Sequence, residues 1–148
     1  MKKKVYELIR LDSIFGNILQ ELEIIKDQFG LVFWPQFNVN SIGNHIIGRG
    51  YQIKMNATTS TIIIGNAVEP QNTPISLNQG WSIVGYLRQS EASISLMFNS
   101  IATNIHIAKD ENGEVYWPIY SINNIGNMKP GEAYQIKMIN SSILVYPN

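Results

Sequence analysis

Val32-Phe33-Trp34-Pro35, Ile42-Gly43-Asn44 and Tyr51-Gln52-Ile53-Lys54-Met55 return later in the same chain. Their second versions are Val115-Tyr116-Trp117-Pro118, Ile125-Gly126-Asn127 and Tyr134-Gln135-Ile136-Lys137-Met138. Trp34 to Trp117 and Tyr51 to Tyr134 are the same step of 83 residues. That step also carries Phe15 onto Phe98, Ile18 onto Ile101, Lys26-Asp27 onto Lys109-Asp110 and Gly30 onto Gly113, with no gap between Phe15 and Met55. The chain is an internal duplication, and each copy is one structural unit.

The patterning within a copy is mixed. Ile94, Met97, Phe98 and Ile101 follow a helical spacing, matched by Leu11, Ile14, Phe15 and Ile18, and predict one short helix per copy. Asp12 or Ser13, and Ser93 or Ser95, are candidate N-caps. Residues 104–109 alternate, Asp110-Glu111-Asn112-Gly113 suits a hairpin turn with positive φ at Gly113, and residues 114–117 return as a strand ended by Pro118. Met128-Lys129-Pro130-Gly131 has the form of a type II turn. Residues 81–87, 134–138 and 143–146 read as strands, and copy one is expected to end similarly through residues 61–64. The fold class is mainly β (α+β): two pseudo-symmetric repeats, each a small β-sheet or half-barrel with one short helix. Repeat one is assigned to residues 1–68 and repeat two to residues 69–148, joined by the turn-rich Glu69-Pro70-Gln71-Asn72-Thr73-Pro74. Units of this size are near the lower limit for an independent core, so one compact body is expected.

The copies differ at their beginnings. Copy two opens through Gly80-Trp81-Ser82-Ile83-Val84, and a step of 83 back from Trp81 falls before residue 1. A sheet short of a strand exposes unpaired backbone groups. The expectation is that residues 3–9 form a shortened strand there, since a tethered segment loses least entropy on docking.

The chain of 148 residues is 45% hydrophobic and 15% charged, which suits a folded domain. Lys plus Arg and Asp plus Glu are 11 each, so the net charge is zero, and nucleic acid is not an expected partner. Cys is absent and His is limited to His45 and His106, which excludes disulfides, thiolate-bound zinc and a thiol nucleophile. Met1-Lys2-Lys3-Lys4 looks like the head of a signal peptide, but Glu7, Arg10 and Asp12 interrupt the apolar run that should follow. No run of about 18 apolar residues occurs, so membrane insertion is not expected.

Gly-Trp, a helix with Phe, Val-Tyr-Trp-Pro, Ile-Gly-Asn and Pro-Gly-x-x-Tyr-Gln-Ile, in that order, resemble a known family. It is the tandem Gly-Trp-Asn, Tyr-Trp-Pro, Gly-Tyr-Gln module found towards the C-terminal ends of secreted and surface proteins of Bacteroidetes-type bacteria. The resemblance spans residues 11–147. It implies a non-catalytic accessory module with no catalytic residues to carry over. It also implies an extracellular or cell-surface location in an exported protein, or a virion location if a phage gene has borrowed the module.

The candidate ligand-stacking residues are Trp34, Trp117, Tyr51 and Tyr134, flanked by Asn44 and Asn127, with Asn38, Asn40, Asn123 and Asn124 as further hydrogen-bond partners. Flat rings beside amides suit a sugar face. Repeat packing is the competing and preferred reading, because aromatic rings bury large areas and residues shared by two copies serve the shared fold. The glycines lack phosphate-loop spacing and read as turns. His45 and His106 lack metal-ligand companions, and Asp110-Glu111-Asn112-Gly113 lacks the spacing and closing Glu of a calcium loop. No Gly-x-Ser-x-Gly elbow occurs, and nothing favours a paired-carboxylate glycosidase. The expectation is therefore no enzyme, no catalytic residue, no metal and no cofactor. The expected partners are other protein chains, with glycans as the alternative.

Overall fold

The computed structural model describes residues 9–148, and the strand expected at residues 3–9 lies almost wholly outside them. The protein is strand-rich, with short helical turns, and divides into two units. One holds the described residues up to Ile47 together with Tyr51–Gly65; the other holds Gly48–Gly50 and Asn66–Asn148.

In the first unit a single helical turn, α1 (Leu11–Ile14), precedes β1 (Leu22–Lys26), β2 (Val32–Trp34), β3 (Val39–Asn40) and β4 (Gln52–Met55). The antiparallel sheet runs β3-β2-β1-β4, with Ile25 paired to Phe33 on one side and to Ile53 on the other. Its core is Leu11, Leu22, Ile25 and Phe33, with Phe15, Ile42 and Tyr51 packed against it.

In the second unit the order is β5 (Ile75–Leu77), β6 (Gly80–Gly85), β7 (Ala92–Ser93), α2 (Ile94–Met97) and β8 (Ile105–Lys109). It continues with β9 (Val115–Trp117), β10 (Ile122–Asn123), β11 (Asn127–Met128), β12 (Ala133–Met138) and β13 (Ser142–Leu144). The main sheet runs β10-β9-β8-β12-β6, and β5–β13 and β7–β11 are separate pairs. Ile94, Met97, Phe98 and Ile101 are buried together, as their helical spacing requires.

The step of 83 residues carries α1, β1, β2 and β3 onto α2, β8, β9 and β10, end for end. It also preserves an irregularity. The ladder slips between Leu22 and Ile24 in one unit and opposite Ile105 and Ile107 in the other, so Glu23 and His106 occupy the same bulge. In both hairpins an Asp closes the turn: Asp27 Oδ1 accepts the N–H groups of Phe29 and Leu31, and Asp110 Oδ1 those of Asn112 and Glu114. Strands β2 and β9 stop before Pro35 and Pro118, each of which opens a 3-10 turn. Lys129-Pro130-Gly131-Glu132 closes with Glu132 N–H on Lys129 O, and Gly131 has φ +83°.

The helix caps correct the sequence reading. The N-cap positions are Arg10 and Ser93, and neither side chain caps. Instead the first helical N–H of each unit, from Leu11 or Ile94, reaches the carbonyl of Gly43 or Gly126 at 3.0 and 2.9 Å. Those glycines have φ of +75° and +70°, and their own N–H groups donate to Asn40 and Asn123 Oδ1 at 2.8 and 2.9 Å. The recurrence of Ile-Gly-Asn is thus a cap supplied from across the unit. A second correction concerns residues 61–64, which form no strand, whereas Ser142–Leu144 pairs with β5. The described part of the first unit has no counterpart of β5 for such a strand to pair with.

Candidate functional site

Strand alternation divides the candidate residues rather than collecting them. Phe33 pairs with buried Ile25, so Trp34 lies on the opposite, outer face of the sheet. Tyr51 packs with the core on the inner face. In the second unit Tyr116 and Tyr134 are buried inside, and Trp117 alternates outward. The tryptophans and tyrosines therefore do not form one stacking surface.

Each tryptophan sits against the 3-10 turn that follows it. Trp34 meets Phe37 edge-on at 4.6 Å between ring centroids, and Trp117 meets Tyr120 at 4.8 Å. The turns end in left-handed residues, Asn38 at φ 54° and Ser121 at φ 55°. Both tryptophans are half-buried, and their Nε1 atoms are fully covered without an acceptor among the described residues. Within each pair the exposed ring is that of the turn residue, Phe37 in the first unit and Tyr120 in the second.

The remaining candidates are engaged by the backbone. Tyr51 Oη accepts the N–H of Ile46 at 3.2 Å, and Tyr134 Oη accepts that of Lys129 at 3.0 Å while donating to Glu132 Oε2 at 2.9 Å. Burial pushes the Tyr134 phenol above its ordinary range. Asn44 pairs with Arg10 and Asn127 with Ser93 through the backbone. Asn124 N–H donates to Val115 O. His45 is partly buried, which lowers its pKa. Among the described residues no group of three or more His, Asp or Glu side chains is placed to hold a metal ion. No helix there is long and apolar enough to cross a membrane.

Sequence reasoning missed the most distinctive surface feature. Trp81 on β6 is 49% exposed, with Lys109 Nζ 5.6 Å and Lys137 Nζ 5.9 Å from its ring centroid. Trp81 pairs directly with Lys137, and Lys137 with Ile107, so a tryptophan, a lysine and an isoleucine form one outward row across β6, β12 and β8. Nothing local to Gly80-Trp81 signals this, because its lysines come from strands far along the chain. In the first unit the matching row is Ile24 and Lys54, with Lys26 beside it opposite Gln52, and among the described residues no tryptophan stands opposite Lys54 on the far side of β4. An open groove of about 480 Å³, lined by residues 55–59, adjoins the end of β4. Comparison with protein-family profiles, with curated proteins and with solved structures gave no match.

Proposed function

We propose that this protein is a non-catalytic structural or adhesion-type module that works by contact with other protein chains. The observation that carries this reading is where the shared residues go. Asp27 and Asp110 close hairpins, Asn40 and Asn123 hold the capping glycines, and Tyr51 and Tyr134 brace the next loop. These polar residues, kept in both copies, hold backbone in place, whereas the exposed rings of the two 3-10 turns differ, Phe37 in one and Tyr120 in the other. That division suits a scaffold presenting a different surface with each unit. The setting, an exported bacterial surface protein or a phage particle, rests on the motif resemblance alone.

The alternative, a carbohydrate-binding module, has less in its support. Phe37 and Tyr120 stand edge-on to their tryptophans, at interplanar angles of 74° and 88°, so neither pair offers the flat platform a sugar face stacks on. Assays for glycoside, ester and peptide hydrolysis are expected to give no turnover. Reproducible turnover abolished by one Asp, Glu or Ser substitution would overturn the non-catalytic reading. Glycan binding lost in both Trp34→Ala and Trp117→Ala would favour the alternative.

A further inference from the structure

We infer that the outer edge of β4 is the docking site for an extended Gly-Trp strand carried by a separate polypeptide chain, which adds to the first unit's sheet as β6 adds to the second. The inference deepens the proposed function by naming the partner, and it rests on that reading.

The second unit shows what this edge is built to receive. There β12 lies between β8 and β6, and its Ile136 and Met138 are 0% and 2% exposed. The first unit has the same pentapeptide in the same register on β1, yet β4 has no further partner among the described residues, and Ile53 and Met55 are 48% and 36% exposed. An exposed edge with apolar residues is a template for another strand. A second deficit accompanies it. In the second unit β13 pairs with β5, burying Leu144 and Tyr146, whereas the isoleucines of residues 62–64 stand open, Ile62 at 85% and Ile64 at 88% exposure.

The chemistry of the occupant is written on the outer face. Lys109 and Lys137 flank the Trp81 ring, and the first unit keeps both lysines, as Lys26 and Lys54. Transferring the β6–β12 register sets a tryptophan opposite Lys54, a serine-sized residue opposite Ile53 and an aliphatic residue opposite Gln52. Lys54 pairs instead with Glu23 at 2.8 Å on the surface, a contact worth little and readily given up. The chain's own residues 1–8 do not carry this segment. They contain no tryptophan, and the step of 83 matches them to residues 84–91, which largely follow β6. The occupant that fits this face has a tryptophan to seat between the two lysines and an aliphatic residue two places on, as Trp81 and Ile83 stand on β6, and the second chain that carries it is the contact partner proposed above.

The test is fluorescence anisotropy of a labelled synthetic peptide spanning residues 74–87, titrated with the full chain. Saturable one-to-one binding is expected. A peptide with Ser82→Pro should lose it: Ile83 O accepts from Gly50 on the side away from β12, so Ser82, paired with Ile136, directs its N–H at the receiving strand, and proline removes that ladder donor. A Trp81→Ala peptide, or a chain carrying K26E and K54E together, should bind about tenfold more weakly. The double variant K109E and K137E should leave the affinity unchanged. No saturable binding up to about 1 mM would overturn the inference, as would equal binding of the proline peptide. Loss confined to K109E and K137E would also overturn it, by assigning the binding to strand exchange in the second unit. None of these failures touches the non-catalytic reading, which the turnover assays test separately.

Discussion

Tyr51-Gln52-Ile53-Lys54-Met55 and Tyr134-Gln135-Ile136-Lys137-Met138 are the same five residues in the same order, and they end in different environments. Both form a strand, both pair with the equivalent neighbour, and both slip at the same bulge. Among the described residues only one is covered, because β6 lies along it. Local sequence sets the strand and its register, while burial is decided by a segment from elsewhere. The same lesson holds for Phe98, which stacks against Tyr146 at 6.4 Å and is fully buried, while Phe15 at the same place in the first unit stays partly exposed.

The comparison predicts unequal costs for equal substitutions. Ile136→Ala should destabilise the protein by about 2–5 kcal/mol, because it empties a filled core site. Ile53→Ala should cost about 1 kcal/mol or less, since half of that side chain already meets water. Denaturant titration of both variants checks this, and equal shifts would break the contrast.

A smaller effect is expected at Gly50, whose counterpart is Ala133. Gly48–Gly50 runs along the outer edge of β6, with Gly50 N–H on Ile83 O and Gly85 N–H on Gly48 O, each at 2.9 Å. A methyl group on Gly50 would run into Ala133 Cβ and come within 2.6 Å of Ile83 Cγ2. Gly50→Ala should therefore cost about 1–3 kcal/mol by overpacking. A melting temperature equal to wild type would show that the segment does not sit there.

The smallest effect is a pH dependence confined to one copy. His45 corresponds to Met128. Burial holds the folded His45 pKa below 6.5, so the unfolded chain binds its proton more readily. This contribution leaves stability unchanged above about pH 7 and lowers it as the pH falls through 6.5. Thermal melts of wild type and His45→Met from pH 7.5 to 5.5 should diverge in that direction. Parallel curves would assign the acid sensitivity to other groups.

Much of this fold was legible because the chain states it twice. The Asp-turn glycine at 113, the strand end at Pro118, the Pro130-Gly131 turn and the helical face from Ile94 to Ile101 all have local signatures, and each sits where its pattern placed it. What escaped notice is long-range. The helix caps are carbonyls lying some thirty residues away, Arg10 meets Asn44 in an isolated bridge, and the lysines beside Trp81 come from β8 and β12. A two-residue strand has no periodicity to detect, and a cap made by a distant backbone leaves no trace at the cap residue. The candidate site suffered in the same way. Trp34 and Tyr51 are both aromatic and both repeated, but only the strand register reveals that they face opposite sides of one sheet.

Amide hydrogen exchange read residue by residue tests the central claim most directly, that identical strands differ because one edge is covered and the other has no partner among the described residues. In residues 135–138 every amide should be strongly protected, since β12 is paired on both sides. In residues 52–55 only the amides directed at β1 should be protected, giving slow and fast exchange in alternation. Uniform protection of both strands would contradict the account, because the edge of β4 would then already be paired.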